Sequence, residues 1–382
     1  MLGRKERLFA QWCGCVEGKS ILLLQVIAMQ EVLQHLQRRS SSLAAGDLRR
    51  MLQALSREQD IWQAAGACER PFPQFVALIE TLCELGYLSK KDGRTLEVTP
   101  AGRVAFERWG VALSPPLSTP CPHCAIGPAP LPELQKHFTQ IAQHRPPVAQ
   151  EFEQGFLTAD SVIRRVAWLD RCGDLAQKEL VLLGDDDLLS IALALTGRPA
   201  KIVVFEIDAR LVDFLNEHAR RAGWPLTAYQ HDLRQPLPHE FLERFDVFVT
   251  DPLETVEGFL LFVEQGLSAL KPGAGQAGYF GLTKIEAAPE KWRLFEQKLL
   301  GQNALFISDV VRDFGFYENW AYLVETTSQQ SVVFSQAPDR PWYRSTFFRI
   351  ETLRDFQPPR CRSLGEEVDI YYDHDSIIKP RR

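Results

Sequence analysis

Carboxylates follow four apolar runs in the later part of the chain, and they are the residues best suited to carry out chemistry. The runs are ELVLL, KIVVFE, LTAYQ and FDVFVT. The carboxylates at or just after their ends are Asp185, Asp186, Asp187, Glu206, Asp208, Asp232, Asp251 and Glu254. Apolar runs of this length predict buried strands of a parallel sheet, whose carboxyl ends meet at one edge and form a ligand crevice. The sequence therefore predicts an acidic cleft that attracts a cationic ligand.

Two of these carboxylates point to a ligand that contains adenosine. Glu206 ends the second run, where a carboxylate can accept two hydrogen bonds from a ribose diol, and Asp232 is placed to accept one from an adenine amino group. This arrangement resembles the fold of methyltransferases that use S-adenosylmethionine. We therefore assign four residues to the binding of the nucleoside ligand, namely Gly184, Glu206, Asp208 and Asp232.

The loop after the first run departs from that fold. Methyltransferases usually have a glycine-rich loop there, which approaches the carboxylate of S-adenosylmethionine, but here Gly184 is followed by Asp185, Asp186 and Asp187. Three carboxylates would repel that carboxylate and attract both the ammonium end of the decarboxylated donor and a polyamine. The loop therefore predicts aminopropyl transfer. For Asp187 or Asp208 taken singly, a helix N-cap is the better interpretation.

Amphipathic segments alternate with the apolar runs and predict the helices of an α/β domain. These segments are 188–195, 209–222, 256–270 and 289–300. The run AGYFGLTK predicts a fifth strand, and β-prone stretches at 304–311 and 320–324 are expected to close the sheet as an edge hairpin. The predicted fold is a Rossmann-like, methyltransferase-type sheet over residues 150–355. An acidic tail, 356–382, follows either as a mobile flap or as a disordered end.

The first 113 residues predict a separate domain of the winged-helix type. Its predicted order is three helices at 19–38, 47–55 and 73–85, then a β-hairpin around 90–93, then a helix that begins at Thr99 and Pro100. Such a domain can bind DNA through basic residues, which here would be Arg49, Arg50, Lys90, Lys91 and Arg94. Residues 1–150 contain 17 basic and 13 acidic side chains, a surplus too small for a nucleic-acid surface. A packing or dimerisation module is therefore favoured.

Residues 114–149 are rich in proline and predict a linker with one helix near 134–144. The linker contains CPHC, so that Cys121 and Cys124 could form half of a zinc site. Cys13 and Cys15 could supply the other half, but the spacing matches no standard zinc finger. A cysteine pair without metal explains the motif equally well, and we assign no metal.

Composition limits the location and the partners of the chain. Its 382 residues carry a formal net charge of −6, and residues 151–382 contain 36 acidic against 26 basic side chains. The chain start lacks the apolar core of a signal peptide, and no apolar run approaches the ~20 residues of a membrane-spanning helix. We therefore expect a cytoplasmic protein without disulfides, with neither a membrane nor a nucleic acid as partner.

Five segments around the acidic loops are similar to those of one known family. They are GDDDLLSIALALTG from Gly184, EID from Glu206, HDLRQPLP from His231, DPLET from Asp251 and FGFYENW from Phe314. Together they resemble the branched-chain polyamine synthases, and the resemblance covers essentially the whole chain. It implies a homodimer that transfers aminopropyl groups from decarboxylated S-adenosylmethionine to the internal secondary amine of spermidine. The products implied are N4-aminopropylspermidine, then the quaternary amine, and methylthioadenosine. At Leu253 we expect the family to carry a second proline.

Aminopropyl transfer requires an unprotonated amine in line with the sulfonium carbon. We assign the proton-accepting role to Asp186, and we assign Asp185 and Asp251 to the terminal ammonium groups. Further acceptor contacts are predicted for Asp187, Glu254, Tyr317, Asn319 and Trp320. The aromatic residues among them would act by cation–π contact, with core packing at the sheet edge as the alternative. No cofactor is expected, because the donor is a co-substrate.

Two other functions are compatible with parts of the sequence. One is an S-adenosylmethionine-dependent N-methyltransferase, since DPLE after the fourth run is similar to a motif of such enzymes; the missing glycine-rich loop counts against it. The other is a DNA-binding regulator that joins a winged helix to a nucleotide-sensing domain, and the acidic charge of residues 151–382 counts against that function.

Overall fold

The structure is a computed structural model, and it describes most of the chain. The described residues are 29–37, 45–57, 59–68, 70–91, 95–111, 117, 128–330, 338–365 and 367–376. The chain divides into two compact units, Met1–Leu113 and Ser114–Arg382. The four cysteines considered for a metal, Cys13, Cys15, Cys121 and Cys124, lie outside the described residues.

The first unit contains short helices and a β-hairpin. Residues 29–37 are helical, and the elements that follow are α1 (Ala45–Arg57), α2 (Ile61–Ala67), α3 (Phe72–Glu84), β1 (Leu88–Lys90), β2 (Leu96–Val98) and α4 (Pro100–Arg108). The strands pair antiparallel, and Thr99 Oγ1 accepts the Gly102 N–H at 3.0 Å to cap α4. Helix α2 is absent from the predicted elements because seven residues are too few to show a helical period. The winged-helix assignment stays a prediction.

The second unit is built on a seven-stranded mixed sheet, as the α/β prediction requires. Its strands are β3 (Glu179–Leu183), β4 (Lys201–Glu206), β5 (Leu226–Gln230), β6 (Val247–Thr250), β7 (Ala277–Thr283), β8 (Leu305–Phe316) and β9 (Arg344–Thr352). Their order is β5-β4-β3-β6-β7-β9-β8, with β9 antiparallel to both of its neighbours and the other pairs parallel. The order of strands reverses between β3 and β6, and a ligand crevice forms at the carboxyl ends there.

Helices cover both faces of this sheet. They are α5 (Pro132–Ala142), α6 (Ala159–Arg171), α7 (Leu189–Leu195), α8 (Ala209–Ala222), α9 (Val256–Ala269), α10 (Pro289–Gln302) and α11 (Ala321–Gln330). Alternate residues of β3 enter two separate apolar clusters: Leu182 packs in the cluster that includes residues of α6 to α8, and Val181 in the cluster that includes residues of α9 and α10. Burial on both faces explains why the strands read as continuous apolar runs. None of the described helices is both long and apolar enough to cross a membrane.

The predicted strand at 320–324 is wrong, and the edge hairpin has a different second strand. Ala321–Gln330 forms α11, and β9 pairs with β8 instead. A short apolar run such as AYLV does not distinguish a helix from a strand. Strand β9 carries Arg349, whose buried guanidinium donates to Asp174 at 2.8 Å, and a charge inside a strand masks its apolar pattern. Helix α6 is also absent from the predicted elements.

Candidate active site

The loop Gly184–Leu188 lies at the carboxyl end of β3, beside the reversal of strand order. Gly184 has φ +73°, in the left-handed region that favours glycine, and Leu188 ends the loop in the same region with φ +57°. The left-handed conformations of Gly184 and Leu188 change the direction of the backbone at both ends of the loop. The three aspartates between them point in different directions, so their carboxylates have different surroundings.

Asp185 is directed to the start of α7 and lines neither of the two larger clefts. Its carboxylate accepts hydrogen bonds from the Ser190 N–H at 3.2 Å and from the Ser190 hydroxyl, and only 2% of the residue is exposed. Its own N–H donates to Glu206 Oε2 at 2.9 Å. Burial raises the pKa of Asp185 well above its usual value. The geometry therefore ties the Asp185 carboxylate to the first turn of α7 through Ser190.

Asp186 is the aspartate of this loop that lines two neighbouring clefts at the ends of the strands. Its Oδ2 accepts the Gly155 N–H at 2.8 Å, and the Arg145 guanidinium donates to its backbone carbonyl. Burial, helped by the charge of Glu206, raises the pKa of Asp186 to about 7. A carboxylate with a pKa near neutrality is suited to take and release a proton.

Asp187 and Asp251 are joined by one buried arginine. Arg165, on α6, donates through Nη1 to Asp187 Oδ2 at 3.2 Å and through Nη2 to Asp251 Oδ1 and Oδ2 at 3.3 and 3.2 Å. Asp187 also accepts the Leu157 N–H at 2.6 Å, and Asp251 accepts the hydroxyl of Tyr317. Burial raises the pKa of Asp187 to about 8 against the opposing charge of Arg165. Arg165 thus holds together the loops after β3 and β6.

The space for this ion pair depends on a glycine of β7. A Cβ built on Gly281 would lie 2.1 Å from Asp251 Oδ1 and 2.9 Å from Arg165 Nη2. Such distances are far below van der Waals contact, so a side chain at residue 281 would displace the carboxylate from the guanidinium.

Two clefts meet at these carboxylates. The first cleft, with about 690 Å³ of empty space, is lined by residues that include Gly184, Phe205, Glu206, His231, Asp232 and Tyr371. The second cleft, with about 610 Å³, is lined by residues that include Glu254, Glu286, Tyr317, Trp320, Tyr322 and Tyr343. The residues that line both clefts are Glu153, Asp186, Asp251 and Leu253. A group moved from one cleft to the other passes these four side chains.

The carboxylates assigned to the nucleoside ligand divide into two kinds. Glu206 and Asp232 line the first cleft. Glu206 accepts the N–H groups of Asp185 and Asp208 at 2.9 and 3.0 Å, and burial raises its pKa. Asp208 instead caps α8 by accepting the Arg210 N–H at 2.9 Å, and its other oxygen accepts from Gln154 at 2.9 Å. Asp208 is not among the residues that line the cleft.

The residues assigned to the acceptor also divide. Glu254, Tyr317 and Trp320 line the second cleft. Asp187 and Asn319 do not. Asp187 is paired with Arg165, and the Asn319 amide donates to the carbonyls of Pro338 and Arg340 at 3.5 and 3.0 Å, so it holds the chain that precedes β9. Burial and the charges of Glu286 and Asp251 raise the pKa of Glu254 well above its usual value.

Several site residues are absent from the sequence-based assignment. They are Arg145, Glu153, Arg165, Glu286, Tyr322 and Tyr343. Glu153 has φ +51°, outside any regular element, and burial beside Glu286 and Asp369 raises its pKa to about 8. Only the acidic excess of residues 151–382 hints at Glu153 and Glu286, and nothing local distinguishes Arg165 from its neighbour Arg164.

The described part of the predicted acidic tail lies against the first cleft. Ile370 and Tyr371 line that cleft, and the Thr255 hydroxyl donates to the Ile370 carbonyl at 2.6 Å. Lys291, with 5% of its side chain exposed, pairs with Asp373 at 2.7 Å and with Asp375 at 3.3 Å. This segment of the tail is therefore held in place, and Ile370 and Tyr371 form part of the wall of the cleft. Within the residues that the structure describes, no group of three His, Cys, Asp or Glu side chains is arranged to hold a metal ion.

Comparisons with known proteins agree with this geometry. Residues 133–377 match a family model described as the C-terminal domain of branched-chain polyamine synthase A. An N(4)-bis(aminopropyl)spermidine synthase of Thermococcus kodakarensis is 36% identical over 330 residues, which is 85% of this chain and 93% of the relative. The enzyme of the same name from Thermus thermophilus is 37% identical over 338 residues, 87% of this chain and 95% of the relative.

A solved structure has the same fold. It is the crystal structure of the branched-chain polyamine synthase from Thermus thermophilus in complex with N4-aminopropylspermidine and 5'-methylthioadenosine. The TM-score is 0.60 at 33% sequence identity, and the alignment covers 94% of this chain and 99% of that chain. That protein therefore binds a nucleoside and a branched polyamine together.

Proposed function

The chain belongs to the branched-chain polyamine synthase family, and on that premise we propose how its two clefts carry out aminopropyl transfer. Its activity is that of an aminopropyltransferase of polyamine biosynthesis that makes branched-chain polyamines. In the proposed arrangement, the first cleft binds decarboxylated S-adenosylmethionine and the second cleft binds spermidine. One observation carries this arrangement: the two clefts share the Asp186 carboxylate.

The first cleft offers complementary groups for the donor. The Glu206 carboxylate lies at the end of β4, where it can accept hydrogen bonds from the ribose hydroxyls, and Asp232 stands further along the same cleft for the adenine. The donor has an ammonium where S-adenosylmethionine has an α-amino acid. Because the carboxylates of Asp186 and Asp251 stand at the junction of the clefts, a carboxylate on the donor would be repelled there.

The transfer itself requires one deprotonation and one displacement. Asp186 takes a proton from the central secondary ammonium of spermidine, and the freed lone pair attacks the methylene carbon bound to sulfur. The carbon–sulfur bond breaks with its electron pair on sulfur, so that methylthioadenosine leaves as a neutral sulfide. The product nitrogen is a tertiary ammonium that keeps one proton. Asp251 is held by Arg165 and Tyr317, so that its carboxylate is positioned beside the cationic reactants.

Incubation of the protein with spermidine and each of two donors tests this function. With decarboxylated S-adenosylmethionine, mass spectrometry is expected to show spermidine that carries added aminopropyl groups, together with methylthioadenosine. With S-adenosylmethionine no transfer is expected. Methylation of spermidine by S-adenosylmethionine would instead favour the N-methyltransferase, and the absence of any product from both donors would refute the proposal.

The pH dependence of the reaction follows from the buried carboxylates. The pKa of Asp186 is raised to about 7, and those of Asp187 and Glu153 are raised to about 8, so the group takes up protons together. Because the base must be ionised, kcat/KM for spermidine is expected to rise with pH through about 7 and to level off above about 8. Steady-state kinetics measure this profile. A value of kcat/KM that stays constant from about pH 6 to pH 9 would contradict a carboxylate base.

The same carboxylates predict how spermidine stabilises the fold. A carboxyl group with a raised pKa in the folded chain contributes stability at low pH, and this contribution is lost as the pH rises through about 7 to 8. A bound polyamine offsets the resulting repulsion with its own positive charges. Spermidine is therefore expected to raise the Tm more at about pH 8.5 than at about pH 6 in a thermal unfolding assay.

Three further expectations concern assembly and location. The family resemblance implies a homodimer, the composition favours the cytoplasm, and the small basic surplus favours the first unit as a packing module rather than a DNA-binding domain. Light scattering coupled to size exclusion tests the dimer. A shift of a DNA fragment by the protein at low salt would overturn the packing role of the first unit.

A further inference from the structure

The second cleft has a continuous wall of aromatic rings. Four side chains form this aromatic wall: Tyr317, Trp320, Tyr322 and Tyr343. The ring centroids of Tyr317 and Tyr343 are 5.2 Å apart, and Trp320 lies 6.0 to 6.1 Å from each of the other three rings. Each ring therefore touches at least one other, and Trp320 is the ring that connects them all.

The hydroxyl groups of the aromatic wall are already engaged. Tyr317 donates to Asp251 and Tyr343 donates to Glu286. Tyr322 donates to the Gln154 carbonyl at 2.5 Å. These bonds fix the positions of the three rings. Because the hydroxyl groups are engaged, a ligand contacts the wall through the apolar surfaces of the rings.

Trp320 also lies close to the proposed base. A Cβ built on Gly155 would stand 2.3 Å from Trp320 Cζ2, so the indole packs directly on the Gly155 backbone. The N–H of that same glycine donates to Asp186 Oδ2 at 2.8 Å. Gly155 therefore contacts both Asp186 and the indole of Trp320. A polyamine nitrogen that gives its proton to Asp186 consequently lies close to the indole.

The two successive transfers differ in what they leave on the nitrogen. The first produces a tertiary ammonium with one N–H. In the second, Asp186 removes that last proton, the lone pair attacks a new donor carbon, and the carbon–sulfur bond breaks as before. The nitrogen is then a quaternary ammonium with four carbon substituents. It has no N–H left to donate, so a carboxylate can attract it by charge but cannot hydrogen-bond to it.

We propose that the aromatic wall, with Trp320 at its centre, is a quaternary-ammonium site that promotes the second transfer. The inference rests on the proposed function and adds that the carboxylates and the rings of the second cleft bind different parts of the polyamine. Carboxylates such as Glu254 and Glu286 hold the terminal ammonium groups, which keep their N–H donors. Ring faces stabilise a cation without N–H groups, whose charge is spread over its methylenes. As the second transfer completes the quaternary charge, this stabilisation grows from reactant to product.

The test compares two acceptors that differ by one aminopropyl group. We would measure kcat/KM for spermidine and for N4-aminopropylspermidine with the wild-type chain and with Trp320→Leu. The variant is expected to lose about tenfold more activity on N4-aminopropylspermidine than on spermidine, the order of one desolvated cation–π contact. The ratio of the two constants does not depend on the fraction of folded protein. Trp320→Phe keeps a smaller ring and is expected to recover part of the ratio.

A matched control and a binding measurement complete the experiment. Trp224→Leu removes a half-buried indole elsewhere in the same unit, and it is expected to leave the ratio unchanged. Tetramethylammonium is expected to inhibit wild type competitively against spermidine and to inhibit Trp320→Leu about tenfold more weakly. Equal losses on both acceptors, or equal inhibition of both proteins, would overturn the quaternary-ammonium site. Failure of the wild-type chain to transfer any aminopropyl group would refute the proposed function itself.

Discussion

Replacement of Asp186 by asparagine is expected to lower the kcat of aminopropyl transfer by about 10²–10⁴-fold, the range that a positioned general base contributes. The amide has the size of the carboxylate and can still accept the Gly155 N–H through its oxygen. It cannot take a proton from the acceptor. It also removes one negative charge from the junction of the clefts, so KM for spermidine is expected to rise. Steady-state kinetics with saturating donor measure both constants.

The control for Asp186→Asn is the neighbouring aspartate. Asp185→Asn changes the same functional group one residue away, where the carboxylate caps α7 through Ser190. This variant is expected to lower the Tm, because the hydrogen bonds to Ser190 are weakened, and to change kcat far less than Asp186→Asn does. Methylthioadenosine should bind Asp186→Asn with nearly the wild-type Kd in calorimetry. A kcat for Asp186→Asn within tenfold of wild type would move the base to another residue.

Arg165→Met is expected to lower the free energy of unfolding by about 3–5 kcal/mol, the usual cost of removing one partner from a buried ion pair. Only 1% of the Arg165 side chain is exposed, and its guanidinium forms ion pairs with both Asp187 and Asp251. Without it the buried Asp187 carboxylate and the half-buried Asp251 carboxylate repel one another, and Asp251 loses its alignment at the junction of the clefts. We therefore also expect a fall in kcat. Urea unfolding at about pH 8 measures the loss of stability.

Two features distinguish this effect from a general packing defect. Arg164→Met removes the adjacent arginine, which pairs with the exposed Asp160 at 2.9 Å, and it is expected to cost less than about 1 kcal/mol. The loss of stability in Arg165→Met should also be larger at about pH 9 than at about pH 7, because the pKa of Asp187 is raised to about 8 and its ionised form has no partner in the variant. A deficit that is the same at both pH values would mean that lost packing, and not lost charge, is its cause.

The sheet and the acidic strand ends could be predicted from the sequence because both are local patterns. An apolar run followed by a carboxylate indicates a strand exit whatever lies elsewhere in the chain. Parallel strands then bring their exits together, so Asp186, Glu206, Asp232 and Asp251 line the clefts as the pattern implies. The aromatic residues Tyr317 and Trp320 were predictable only through the family resemblance.

The remaining parts of the site depend on contacts between distant segments. Arg165 lies 22 residues from Asp187 and 86 from Asp251, in a helix whose pattern shows only which face is apolar. The same limit explains why four assigned residues do not line either of the two larger clefts. Asp187 is engaged by Arg165 instead. Asp185 and Asp208 have the right type at a strand exit, but each turns back to the N–H groups of its own helix. Asn319 likewise holds backbone carbonyls instead of a ligand.

The separate linings of the two clefts have a kinetic consequence. Apart from Glu153, Asp186, Asp251 and Leu253, no residue lines both clefts among the part of the chain that the structure describes. Spent methylthioadenosine can therefore leave, and a fresh donor can enter, while the polyamine keeps its contacts in the other cleft. This layout permits processive synthesis, in which one polyamine receives both aminopropyl groups before it dissociates. Early in such a reaction, the doubly substituted product would accumulate without a preceding pool of the singly substituted one.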